Sequence, residues 1–316
     1  MAQPLSIEGR TVPEPTYDYE VSRLVLYYRK AMRKILRELR MVDLNSAQQR
    51  ELQKLLARIN NTLKELDSDA DEWVKKNVRK AALDGAALAL VALDVVDSFD
   101  EALKTVKLRG PNREMTRAIV ADLQQDLLAV SQNISKRTRT VVRQVVAESM
   151  RSNMTAGING RKTMDRDIVQ RLRAQLSSAI DTGIVDAAGR RWKPDVYVDM
   201  VVRTKLFEAH REAHTNEGLM RGAEFALISS HSAKDACRFH EGRIVALNPN
   251  NKNGYPTIAE LKATNQIFHP NCKHHIIVFR SLDRLPDKVR QDAIRKQGIG
   301  EKAVATGKRN PAESEL

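Results

Sequence analysis

The side chains able to bind a soft metal or act as a thiol nucleophile share one window of the chain. The seven histidines occupy positions 210, 214, 231, 240, 269, 274 and 275, and the two cysteines positions 237 and 272. Cys237-Arg-Phe-His240 and His269-Pro-Asn-Cys272 form two Cys/His pairs, each with two residues between the potential ligands. That spacing lets both side chains of one tight turn reach a common ion, and two such turns make a tetrahedral Cys2His2 set suited to structural zinc. His274 faces the same side as Cys272 if a strand begins there, because strand side chains alternate, and it is able to replace one ligand. Two other arrangements stay open: a Cys237–Cys272 contact without metal, and plain packing of two small thiols with the histidines outside. A thiol beside a histidine is also the minimum of a nucleophile–base pair. No catalytic signature surrounds either cysteine, and neither Asp235 nor Glu241 stands at a telling distance from any histidine, so no catalytic residue is assigned. His210 and His214 lie four apart on one helix face, where a metal pair competes with the more ordinary solvated histidines.

These residues need a scaffold, and the apolar pattern supplies one that is mostly α-helical, followed by a small α+β module carrying the Cys/His cluster. Residues 1–20 hold Pro4, Pro13 and Pro15 without apolar period and read as an extended arm. A helical domain spans 21–185. Its first stripe takes in Val25, Tyr28, Met32, Ile35, Leu36 and Leu39, and its second Leu52, Leu55, Leu56, Ile59, Leu63 and Leu66. Ser46 with Gln49 suggests a capping box for the second helix, and Ser68 or Asp69 a cap for a third that runs to about 107. Gly110-Pro111 stops it, a very long helix follows from about 112, and a fifth covers about 165–180. The module, 186–281, contains a helix over 195–220, strand-like runs at 225–229, 243–247 and 275–279, and a small helix over 257–266. Residues 282–316 read as a flexible charged tail.

Charge separates the same regions. The 53 lysines and arginines exceed the 40 aspartates and glutamates by 13, and two segments hold that excess. Residues 22–40 carry seven basic side chains against Glu38 alone, and residues 136–173 carry ten against Glu148, Asp165 and Asp167. Arg29, Arg33, Arg37, Arg137, Arg139, Arg143, Arg171 and Arg173 are the candidate contacts to a polyanion such as DNA. The second segment has no aromatic residue, which leaves phosphate contact rather than base stacking. The most apolar run, 86–93, is far short of a membrane span, the first ten residues lack the apolar core of a signal peptide, and two cysteines make no disulfide framework. P-loop, nucleophile-elbow and HExxH patterns are absent from the sequence.

A series of short blocks resembles the phage minor capsid protein family, related to Mu-type head morphogenesis proteins. They are Trp192 with 195–200; Arg203 and Thr204; Glu208 to Arg211; 228–232 with Ser230 and His231; Cys237 and Gly242; Tyr255-Pro256; and His269-Pro270-Asn271-Cys272-Lys273-His274. The last matches the family's HPNCRH block with lysine for arginine. The match is carried mainly by 186–281. The resemblance implies a virion protein assembled in the host bacterial cytoplasm and present in few copies inside a tailed-phage head. Its implied partners are the portal protein, packaged double-stranded DNA bound without sequence preference, and other head proteins, with a role in assembly rather than chemistry. Some relatives carry a fused toxin domain after the module; the roughly 35 residues that follow here imply none. The competing expectation is a DNA-acting, nuclease-like metalloenzyme of a mobile element that uses Cys237, His240, His269 and Cys272.

Overall fold

A computed structural model describes residues 13–41, 48–157, 161–181, 189–250 and 252–316, together with short strands at 6–7, 10–11 and 184–185. Helices dominate it, and two compact units emerge. One comprises Asp18–Lys75 and Ala121–Val202; the other comprises Met1–Tyr17, Lys76–Val120 and Arg203–Leu316. The boundaries therefore differ from the expected division at 185, because three helices contribute residues to both units.

The first unit is built on α1 (Asp18–Arg40), the first part of α2 (Gln48–Ala92), the later part of α4 (Pro111–Thr155), and α5 (Arg161–Asp181). Leu24, Tyr28, Ile35, Leu55, Ile59, Leu123, Val145 and Leu172 form its buried seam, each worth about 1.5–3 kcal/mol on burial. Polar residues on the seam pair across it: Ser135 Oγ donates to Asn60 at 2.8 Å, Ser149 Oγ to Asp167 at 2.6 Å, and Ser131 Oγ to Asp67. The expected break at Ser68 or Asp69 does not occur, and α2 runs unbroken for 45 residues. Both side chains are exposed, and the apolar stripe continues through Leu66, Ala70, Trp73 and Val74, so nothing forces the chain to stop there. The Ser46–Gln49 capping box lies outside the described residues. Strands β3 (Ile184–Val185) and β4 (Arg191–Trp192) form a short antiparallel pair ahead of α6 (Pro194–Met220).

In the second unit α2 ends at Ala92, where Arg280 Nη1 captures the carbonyl of Leu93 at 2.9 Å. Asp94 adopts φ +59°, and Ser98 caps a separate α3 (Phe99–Thr105). The expected third helix to about 107 is thus the end of α2 plus this short helix. The alanine run of α2 has a physical purpose. Ala82 and Ala86 pack on Ala213 of α6, and a β-carbon on Gly85 would lie 2.0 Å from the carbonyl oxygen of His210, so this helix approach requires glycine at 85 and small residues beside it.

The centre of this unit is an antiparallel sheet of β6 (Ile244–Ala246), β5 (Phe225–Ile228) and β7 (Ile276–Phe279), in that order. A three-stranded sheet needs both faces covered when all its residues are apolar. Ala226, Ile228, Val245, Ile276 and Val278 pack with Ala89, Leu93, Leu261, Phe268, Cys237 and Cys272 on one face. Phe225, Leu227, Ile244, Ile277 and Phe279 pack with Leu88, Leu285 and Ala293 on the other. Leu261 belongs to α7 (Ile258–Ala263), which Thr257 and Glu260 open with a capping box. Ala293 belongs to α8 (Asp287–Ala305). The segment expected as a mobile tail therefore contains a helix whose Ala293, Gln297, Gly300 and Ala303 are buried. Of the expected N-terminal arm, Tyr17 is buried and helix begins at Asp18; β1 (Ser6–Ile7) and β2 (Arg10–Thr11) pair antiparallel.

Candidate metal centre

Two turns bring the reactive side chains together. Residues 236–239 form a single 3-10 turn that Asp235 caps, its carboxylate accepting the N–H of Cys237 at 3.1 Å. This directs the Cys237 side chain into the apolar face of the sheet. In the second turn the N–H of Cys272 donates to the carbonyl of His269 at 3.0 Å. Pro270 presets the first central position, and Asn271 takes φ +68°, a left-handed conformation that asparagine tolerates. The N–H of Asn271 donates to Thr204 Oγ1 at 2.8 Å, which anchors the turn to α6.

The sulfurs of Cys237 and Cys272 lie 3.8 Å apart and are not bonded. His269 Nε2 is 3.1 Å from Cys237 Sγ, and these three ligand atoms all fall within 4.8 Å of one another. His274 Nδ1 lies 3.3 Å from Cys272 Sγ. Its Nε2 faces Glu241 Oε1 at 3.2 Å. Glu241 also accepts from the backbone N–H groups of His231 (3.1 Å) and Ala233 (2.9 Å) and from Ser230 Oγ (3.0 Å). Burial opposes its ionisation, but the His274 bond and the backbone donors outweigh that and hold its carboxyl down to about 2. The His231 ring sits 4.0 Å from that of His274, and His231, Glu241 and His274 form a second close group.

The contact between the two thiols shifts them in opposite directions. Hydrogen bonding from Cys237, reinforced by His274, lowers Cys272, and the same contact with Cys272, together with burial, pushes the Cys237 thiol up. Burial disfavours a charge on His274, yet the bonds to Cys272 and Glu241 raise it to about 9.

His240 does not join this group. Arg243 Nη1 donates to its Nδ1 at 2.8 Å, so its Nε2 carries the proton given to Gln266 Oε1 at 2.8 Å. With both nitrogens engaged it has no lone pair for an ion, and the x2 spacing within 237–240 gives no ligand pair. The residue that sequence reasoning missed as a partner is Glu241. Its signal was weak, because a carboxylate 33 positions before His274 has no local spacing to betray it. His210 and His214 are also not solvated. Both are buried; His214 Nε2 accepts the N–H of Val278 at 3.1 Å, and its Nδ1–H donates to the carbonyl of Gly85 at 2.9 Å.

The profile of the phage minor capsid protein 2 family matches residues 17–311. The chain belongs to that family. No curated protein and no solved structure matches it. This minor capsid protein is thus a component of the phage capsid that assembles with other head proteins, and the likeness read between 192 and 274 extends through the helical half. Among described residues, no helix of the capsid protein is long and apolar enough to cross a membrane.

The motif residues of the capsid protein divide between roles. Thr204, Pro270 and Asn271 shape the ligand turn, while Ser230 and His231 surround Glu241. Gly242 takes φ +71°, at the turn into β6. Glu208 is held below the usual carboxylate range despite burial, through Lys262 at 3.0 Å and Lys205 at 3.3 Å. Arg203 is half-buried on the same helix, and Trp192 lies edge-on to Tyr197 under Arg190. The candidate contact arginines also divide. Arg29 pairs with Asp195 at 2.8 Å and Arg171 with Asp167 at 2.9 Å. Arg33, Arg37, Arg139, Arg143 and Arg173 are exposed, and Arg137 is half-buried.

Proposed function

We propose that this minor capsid protein is a structural, non-enzymatic component of the interior of a tailed-phage head, seated near the portal and touching packaged DNA through phosphate alone. The observation that carries the DNA part is the outward face of α4. Arg139 and Arg143 stand four apart, fully on the solvent side, while Thr138, Val142 and Val145 turn inward. Paired arginines such as Arg29 and Arg171 have part of their charge answered within the protein; Arg139 and Arg143 present theirs outward. The basic segment of α4 and α5 offers no aromatic ring for stacking, so its contact with a duplex is counterion release and carries no sequence preference. Contact with the portal protein rests on the family resemblance, in which members sit at that vertex.

The nuclease-like alternative gains nothing from the cluster's environment. A hydrolytic metal keeps one position open to water, whereas Cys237 and Cys272 are 2% and 6% exposed and His274 is fully buried. An asymmetric reconstruction of the phage head tests the placement. Helical density for this chain inside the shell, within reach of the portal and the outermost DNA, supports it; density confined to the outer capsid surface refutes it.

A further inference from the structure

We infer that Cys237, His269, Cys272 and His274 form a structural zinc site that joins the 236–239 turn, the 269–272 turn and the entry to β7. A tetrahedral ion with usual Zn–S and Zn–N lengths sets sulfurs about 3.8 Å apart and sulfur–nitrogen edges at about 3.6 Å. The Cys237–Cys272 separation is 3.8 Å, and two of the four sulfur–nitrogen edges, Cys237–His269 and Cys272–His274, are 3.1 and 3.3 Å; Cys237, His269 and Cys272 already form a close group that His274 completes from beside Cys272. An ion therefore has to spread those two edges by about half an ångström or less, within side-chain freedom.

The tautomers suit the site. His269 Nδ1 faces the carbonyl of Pro270 at 2.9 Å, and the tautomer that donates there turns an Nε2 lone pair toward Cys237. His274 Nε2 donates to Glu241, so an ion entering beside Cys272 has only the Nδ1 proton to displace. A carboxylate on the far nitrogen of a ligating histidine orients the ring and raises its basicity. Glu241 is itself fixed by three further donors, so this outer support is built in advance of any ion. Asp235 lies 3.1 Å from His269 Nε2 at the more exposed lip of the site.

Charge and surroundings point the same way. Two thiolates and two neutral imidazoles cancel the charge of a divalent ion, which suits a centre packed into the apolar face with Phe268, Ile276 and Val245. Mixed sulfur and imidazole donors in a tetrahedral frame select zinc over hard cations. Four protein ligands with buried thiols make the site closed and hence structural. The turns it joins carry little secondary structure of their own, so the ion would tie them to the packed face of the sheet.

The test uses the full-length chain without a histidine tag, purified reduced. Elemental analysis is expected to find about one zinc per chain. Cobalt(II) added to metal-stripped protein should give the visible bands of tetrahedral cobalt and a near-ultraviolet thiolate charge-transfer band. Cys272→Ser should lose the metal. Glu241→Gln should stay folded and bind zinc about 10–100-fold more weakly. His240→Gln should keep the wild-type stoichiometry. Less than about 0.2 zinc per wild-type chain with no cobalt bands overturns the proposal. So does a Cys237–Cys272 disulfide found by mass spectrometry in protein purified without reductant but with zinc present. The wild-type measurements need no variant to fold, and neither depends on DNA binding.

Discussion

Arg243 lies so close to Gly300 that a β-carbon on that glycine would stand 2.2 Å from its Nη1 and 2.5 Å from its Cζ. The guanidinium cannot simply swing away. It is buried, its Nε donates to Gln297 at 3.1 Å, and its Nη1 donates to His240. Burial lowers its pKa only to about 10, so it stays charged at neutral pH. From His240 the network continues to Gln266, whose amide donates to the carbonyls of Ala303 at 2.8 Å and Lys308 at 2.7 Å. A buried cation and two buried amides thus fasten α8 against the sheet.

Gly300→Ala should therefore destabilise the protein by about 1–3 kcal/mol through overpacking. Gly298, two positions earlier, has nothing within 4 Å of its virtual β-carbon. Gly298→Ala should stabilise by about 0.5–1 kcal/mol, the ordinary helix preference. Urea midpoints of both variants decide the matter. Equal effects would mean that α8 does not pack on Arg243.

Acid should weaken the fold through His214. Burial, opposed only partly by its bond to the Gly85 carbonyl, lowers its pKa to about 4. The unfolded chain takes up this proton near pH 6.5, while the folded protein resists it until about pH 4. The stabilising contribution is complete above about pH 6.5 and is lost as pH falls to about 4, on the order of 3 kcal/mol at most. His210, whose ring stacks 6.2 Å away, is likewise held neutral by burial and shifts in the same direction. Replacing His214 with glutamine should flatten part of the pH dependence of the urea midpoint between 6.5 and 4. An unchanged slope would contradict the assignment.

The turn of 269–272 depends on Asn271. Its φ of +68° costs a β-branched residue about 1–2 kcal/mol, and glycine almost nothing. Asn271→Val should lower the thermal midpoint and Asn271→Gly should leave it close to wild type. Similar losses in both would show that the side chain matters more than the backbone.

The contrast between His240 and His274 shows what the sequence makes legible. Two residues between ligands is a sound rule for the 269–272 turn, whose proline and asparagine also announce it. In 237–240 the same spacing falls on a 3-10 turn whose last residue rotates toward Gln266, a partner 26 positions away. The three sheet strands were readable because β-branched and aromatic residues cluster between turns. Helix α8 was not, since its buried face uses Ala293, Gln297, Gly300 and Ala303, which carry almost no hydrophobic signal. The unbroken α2 was obscured by Ser68 and Asp69, polar residues that a long helix accepts on its exposed side. The two units leave no single boundary in the sequence, because each is assembled from separate stretches of chain.

Neutralising the exposed face of α4 should weaken DNA binding evenly. The double variant Arg139→Gln/Arg143→Gln should lose affinity equally for unrelated duplexes and shed up to about two units of salt slope. A loss restricted to one sequence would indicate base readout instead.

Contact with DNA through phosphate is the central element of the proposed function. The measurement that tests it is the affinity of the full-length protein for random-sequence duplex DNA across a salt series. If four to six basic side chains meet phosphates, log K should fall linearly with log salt, with a slope of roughly −3.5 to −5.5. A slope near zero, or no binding at low salt, would contradict it.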